Sequence, residues 1–192
     1  MCIRDSLKIG PTFENPDIHL GPVITAEHRL RIERLIGVGV REGASLATDG
    51  RGVEIAGAPQ GFYLGPTILD HVRPEMTVMR EEIFGPVLNV LRMKDLDSAI
   101  ETANRSAYGN GASIFTNSGR AAREFKHRIR AGMVGINVGV PAAMAFFPFS
   151  GWNESFFGDL HMQGREGVAF YTQQKVTTSR WFAPQEGDIW QR

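Results

Sequence analysis

The chain has 192 residues, with 21 Lys+Arg against 21 Asp+Glu, 42% hydrophobic residues and one cysteine, enough for one sizeable core or two small domains. A formal net charge of zero and the lack of any basic run exclude the electrostatic footprint of a nucleic-acid or anionic-membrane binder. Cys2, the single cysteine, can close no internal disulfide and has no companions for a metal or redox pair, so a reducing compartment is expected: the cytoplasm, or the mitochondrial matrix in a eukaryote.

After a stretch rich in Pro and Gly (Gly10-Pro11, Asn15-Pro16, Gly21-Pro22), Thr25 is placed to cap a helix over residues 26–42. Ile32, Leu35, Ile36 and Val40 would lie on one of its faces, and Gly43 would end it. Short apolar runs at 44–48, 62–64, 67–69 and 87–92, each bounded by Gly, Pro or Asp, read as strands. Asp95 or Asp97 caps a second helix with Leu96, Ala99, Ile100 and Ala103 at helical spacing. Ser118 opens a third, carrying Ala121, Ala122, Phe125 and Ile129. Strands are expected at 112–115 and 133–138. Strands alternating with helices of this length imply the α/β class, with a mostly parallel sheet covered by helices.

Residues 131–153 carry no charge, but Pro141 and Pro148, four glycines and Asn137 interrupt them, which argues for a buried strand and loop and against a membrane span. Residues 1–6 have both charge signs and no apolar segment, unlike a signal or transit peptide. A polar, β-branched run follows from Lys175 to Phe182, and then a short tail.

Three segments offer chemistry. In Arg80-Glu-Glu-Ile-Phe-Gly-Pro-Val, a carboxylate before a strand can accept two hydrogen bonds from a ribose diol, with an aromatic to support a planar ring. The same residues also read as a solvated acid pair before a tight turn. The aromatic loop from Gly139 to Trp152 follows a buried strand, where α/β proteins place ligands; it reads equally as a core plug or a subunit contact. Ser155-Phe-Phe-Gly-Asp-Leu-His-Met-Gln-Gly-Arg-Glu-Gly contains a His and two acids but no metal-ligand spacing, and a lone His beside an Asp is more often a structural pair.

Taken together, Glu81-Glu-Ile-Phe-Gly-Pro-Val87, Ala103-Asn104, Tyr108-Gly-Asn-Gly111, Gly135-Ile-Asn137 and Pro148-Phe-Ser-Gly151 resemble the carboxyl-terminal half of the NAD-dependent aldehyde dehydrogenases, across roughly residues 8–181. Where the superfamily commonly has Pro-Phe-Gly-Gly and then Lys-x-Ser-Gly, this chain has Phe-Phe-Pro-Phe-Ser-Gly-Trp and Ser-Phe-Phe-Gly-Asp-Leu-His. That variant resembles the CoA-acylating methylmalonate-semialdehyde (malonate-semialdehyde) dehydrogenases.

The resemblance implies oxidation of a semialdehyde through a cysteine thiohemiacetal, hydride transfer to NAD, and acyl transfer to CoA with loss of the substrate's carboxyl group, giving propionyl-CoA or acetyl-CoA. It also implies that Glu82 contacts the nicotinamide ribose, Phe84 packs beside the nicotinamide and Phe149 borders the aldehyde pocket. Asn137 matches a structural strand-end residue. No catalytic residue and no metal ligand carries over, because the family's nucleophile matches no position here and Cys2 lies too close to Lys8-Ile-Gly-Pro11 to be it. The implied organisation is an aberrant start at 1–6, part of the catalytic domain at 7–152, a helix and loop at 153–174, an oligomerisation arm at 175–183 that forms a homo-oligomer, and a tail at 184–192. The dinucleotide-binding domain is expected to be absent, and the chain alone inactive. Two alternatives remain: a non-catalytic α/β interaction module, and a fragment of a hydrolytic aldehyde dehydrogenase.

Overall fold

A computed structural model describes residues 7–13 and 15–181. The expectations for residues 1–6 and 184–192, and for the end of the arm at Phe182 and Ala183, lie outside the described residues. The chain divides into two compact units, Met1–Ser106 and Ala107–Arg192.

In the first unit, the Thr25 hydroxyl accepts the His28 N–H at 3.0 Å and caps α1 (Ala26–Arg41), satisfying one of the donors that a helix start leaves open. Ile32, Leu35 and Ile36 are buried on one face, as their spacing requires. That face covers a three-stranded sheet of β1 (Ser45–Thr48), β2 (Thr67–Asp70) and β3 (Val87–Asn89). β1 pairs antiparallel with β2, Leu46 opposite Leu69, with an irregularity between Leu46 and Thr48. β2 pairs parallel with β3, Leu69 opposite Asn89. Ile32, Leu35, Ile36, Leu64, Leu69 and Ile83 belong to one buried cluster. Asp70, at the end of the central strand β2, is held by Arg92, whose Nε donates to it at 3.0 Å, and this bonding keeps the carboxyl below its ordinary value.

A four-residue helix, α2 (Thr77–Arg80), leads from the sheet towards β3. Its start has no side-chain cap of its own. Instead, Glu42, just past the end of α1, accepts the Thr77 N–H at 2.7 Å and its hydroxyl at 2.6 Å. These bonds hold the Glu42 carboxyl below its ordinary value of 4.5. A depressed folded-state pKa contributes stability that is fully present above the unfolded value and lost as pH falls through the folded one. Thermal melts of the first unit from about pH 7 to about pH 3 should therefore fall less steeply below pH 4.5 in Glu42→Gln than in the parent chain. Identical acid limbs would remove Glu42 from the account. The unit closes with α3 (Leu96–Asn104), where Asp95 accepts the Ser98 N–H at 2.8 Å and Ile100 is buried.

The second unit opens with β4 (Tyr108–Gly109), which pairs antiparallel with β7 (Trp152–Asn153). β5 (Gly111–Ile114) runs through α4 (Gly119–Arg128) to β6 (Met133–Ile136), and the two strands pair parallel, Ala112 opposite Val134. Ser118 caps α4 as its sequence position predicts. The last helix, α5 (Gly164–Phe170), buries no residue. Residues 172–181 follow in no regular element, all exposed.

The α/β class holds, but the single, mostly parallel sheet does not: the strands form three small sheets with two parallel and two antiparallel pairings. Residues 62–64, expected as a strand, pair with loops instead. Phe62 C=O accepts the Val23 N–H at 2.9 Å, and the Gly65 N–H donates to Gly50 C=O at 2.8 Å, while Tyr63 and Leu64 are buried. The strand expected at 87–92 ends at Asn89, and those at 112–115 and 133–138 each stop short, at Ile114 and Ile136.

Candidate functional site

The residues before β3 form the clearest site. Ile83, only 7% exposed, is sunk into the first unit's core. Its neighbours Glu82 and Phe84 point away from that anchor and are exposed, Phe84 at 75%. They line a groove of about 320 Å³ with Met79, Glu81, Gly85 and Asn89. The Glu82 carboxylate forms no hydrogen bond or ion pair with the described residues, so both oxygens are free to accept donors such as a vicinal diol.

The backbone of this loop is held from α1. Arg31 donates from Nη2 to Glu82 C=O at 2.8 Å and from Nη1 to Ile83 C=O at 3.0 Å. His28 Nε2 lies 2.8 Å from Phe84 C=O; a carbonyl only accepts, so the imidazole carries its proton on Nε2. The His28 and Phe84 rings meet edge-on, with centroids 6.2 Å apart. Phe84 sits at φ +55°, a left-handed conformation that costs a non-glycine residue about 1 kcal/mol and persists only where its surroundings fix it. Gly85 follows because its position has no room for a side chain: a Cβ there would lie 2.6 Å from Ile32 Cδ1. Sequence reasoning singles out Glu82 and Phe84 as candidates, and the structure adds His28 and Arg31 as the side chains that contact their backbone. Their helical spacing was visible, but their acceptors lie more than 50 residues away.

Phe149 belongs to the second unit, in a loop stitched to the segment before α5. Its N–H donates to Met162 C=O at 2.8 Å, and the Gly164 N–H donates to Ala145 C=O at 3.1 Å. Phe149 is half-buried, whereas Phe146 and Phe147 are exposed. His161 stacks on Phe156 with centroids 4.1 Å apart. Its Nδ1 and backbone N both meet Glu166 Oε2, at 2.7 and 2.6 Å, and this bonding lowers the Glu166 carboxyl below its ordinary value. The partner of His161 is thus Glu166, within a local structural cluster. Asn137 accepts the Thr116 N–H at 2.8 Å and donates to Thr116 C=O at 3.1 Å, so its amide extends the β5–β6 pairing by one backbone-like step. Glu82 and Phe84 are thus brought together in one unit, and Phe149 lies in the other. Among the described residues no group of three or more His, Cys, Asp or Glu could hold a metal ion, and no helix is long and apolar enough to cross a membrane.

The sequence matches the profile of the aldehyde dehydrogenase family over residues 4–177. It is 52% identical over 177 residues to malonate-semialdehyde dehydrogenase 3 of Geobacillus kaustophilus, covering 92% of this chain and 36% of that protein. Its fold superposes on the crystal structure of a methylmalonate-semialdehyde dehydrogenase from Oceanimonas doudoroffii with a TM-score of 0.92 and 42% identity, over 95% of this chain and 37% of that one. A Sinorhizobium meliloti protein assigned as the same enzyme, and solved with NAD, superposes with a TM-score of 0.92 at 41% identity over the same shares. The chain therefore spans about a third of the length of the relatives it matches.

Proposed function

The chain belongs to the aldehyde dehydrogenase family, and from that premise we propose that it is the carboxyl-terminal portion of an NAD-dependent, CoA-acylating malonate- or methylmalonate-semialdehyde dehydrogenase. The observation that carries this reading is the unpaired, exposed Glu82 carboxylate beside the exposed Phe84 ring, on a backbone fixed from α1. That pair fits a nicotinamide nucleoside: Glu82 would accept both ribose hydroxyls, and Phe84 would cover the adjoining planar ring. The relatives' names and the NAD-bound neighbour support the proposed substrate class and the use of NAD; the proposed CoA step rests on the resemblance of the Phe-Phe-Pro-Phe-Ser-Gly-Trp segment alone. NAD, when bound, supplies the hydride acceptor. The residues of this chain orient the nucleotide, while the loop carrying Phe149 borders the acyl side.

The activity needs a cysteine nucleophile in reach of the aldehyde, and the single cysteine here is Cys2. The 192-residue chain, given malonate semialdehyde, CoA and NAD, should form no NADH above a no-enzyme blank; NADH formation that Cys2→Ser abolishes would overturn that expectation. The arm is proposed to add a strand to a second subunit. Val176 and Trp181, at 91% and 92% exposed, lie in a run without regular structure that forms no ladder with the described residues, a state that strand addition would relieve.

The cofactor reading is tested by titrating NAD into isotope-labelled chain and following amide signals. The signals of residues 82–85 should shift and saturate. Glu82→Gln, which keeps size but loses charge-assisted bonds worth roughly 1.5 to 3 kcal/mol, should weaken binding by roughly tenfold or more. Equal affinity in that variant would return Glu82 to the solvated-acid reading.

A further inference from the structure

We propose that Arg31 and His28 are positioning residues for this loop: by holding the carbonyls of Glu82, Ile83 and Phe84 they set the outward pose of the Glu82 carboxylate and the Phe84 ring. The inference rests on the reading of Glu82 and Phe84 as cofactor contacts and goes one step further, to what aims them.

Each carbonyl fixes the plane of its peptide group. With three successive planes held, the torsions between the first and second are those of Ile83, and those between the second and third are those of Phe84. Both residues are thereby locked, and with them the directions in which their neighbours' side chains leave the backbone. No backbone N–H among the described residues donates to these three carbonyls, so the side chains of α1 are what hold them. Burial of Ile83 anchors the centre of the loop but does not by itself select the left-handed φ of Phe84. The Arg31 guanidinium suits the task because its planar fork sends two separate N–H groups to two adjacent carbonyls; a lysine ammonium is a point charge without that fork. His28 holds the third through Nε2, 2.8 Å from the Phe84 carbonyl oxygen.

The test uses the isotope-labelled 192-residue chain with Arg31→Lys, His28→Leu and His28→Gln, the last retaining a side-chain N–H donor. Three quantities are read: the carbonyl-carbon shifts of residues 82–84, the NAD affinity seen at Glu82 and Phe84, and the melting temperature. Arg31→Lys should move the signals of Glu82 and Ile83, and His28→Leu that of Phe84. Each should weaken NAD binding roughly tenfold at an unchanged melting temperature, and His28→Gln should recover most of the loss. NAD affinity equal to the parent's in Arg31→Lys and His28→Leu overturns the inference, as does a loss that only follows a fall in melting temperature. If the parent chain shows no NAD-dependent change at Glu82 and Phe84 while Arg31→Lys still moves the carbonyl signals, the cofactor reading falls and the inference falls with it; the carbonyl signals tell that failure apart from the others.

Discussion

Gly50→Ala should unfold much of the first unit at temperatures where the parent chain is folded. A Cβ at residue 50 would lie 1.9 Å from the Gly65 carbonyl oxygen and 2.3 Å from its carbon. The obstruction is backbone, so no side-chain rotation relieves it. Moving the strands apart would break the Gly65 N–H bond to Gly50 C=O at 2.8 Å and the buried Gly50 N–H bond to Thr67 Oγ1 at 3.0 Å, leaving buried polar groups unpaired. The expected cost is on the order of 3 kcal/mol, which for a unit of this size lowers the melting temperature by roughly 12 to 24 °C. Gly139→Ala, with no atom within 4 Å of the added carbon, serves as control and should melt with the parent. A Gly50→Ala melting curve matching that control would mean that the approach of residues 50 and 65 is not as close as described.

Ile83→Ala should damage both stability and the candidate site. Ile83 is the buried member of the Glu82-Ile83-Phe84 triplet, and truncating an isoleucine in a core costs about 2 to 5 kcal/mol. Ile83→Val, which removes one methyl group, should cost only about 0.5 to 1.5 kcal/mol. The loop signals should broaden in the alanine variant as the anchor is lost, even though the hydrogen bonds from α1 remain possible. Denaturant melts giving equal stabilities for the two variants would show that Ile83 is not seated in the core.

Much of the first unit was legible in the sequence because its signals are local. Thr25 and Asp95 each cap a helix where the side chain reaches a backbone N–H three positions on, as Ser118 does in the second unit, and the buried face of α1 follows from 3.6-residue spacing alone. What was illegible depends on long-range partners. The strand expected at 62–64 has the right residues, but Phe62 pairs with Val23 and the adjoining Gly65 with Gly50, a choice made by the tertiary arrangement. The helix α2 was missed because its cap comes from Glu42, and the short strands β4 and β7 because two residues carry no period. At the candidate site, the exposed carboxylate and ring of Glu82 and Phe84 are suggested by residue type and family resemblance; the His28 and Arg31 contacts are not, since nothing in a helix's own pattern says which carbonyls its polar face will meet. The stretch from Ser155 to Gly167 offers His161 two acids, and residue type alone does not select Glu166, to which its bond goes.

The cap on α2 also bears on the order in which the chain acquires its structure. A four-residue helix closes too few of its own bonds to survive nucleation alone, and Thr77 finds its acceptor 35 residues back, at the end of α1. Until α1 has formed and docked, residues 77–80 have no reason to be helical, and the loop that begins at Glu81 has no fixed point of departure. The groove beside Glu82 and Phe84 therefore depends on a contact made 35 residues back in the chain, so that a change at the end of α1 reaches residues it does not touch.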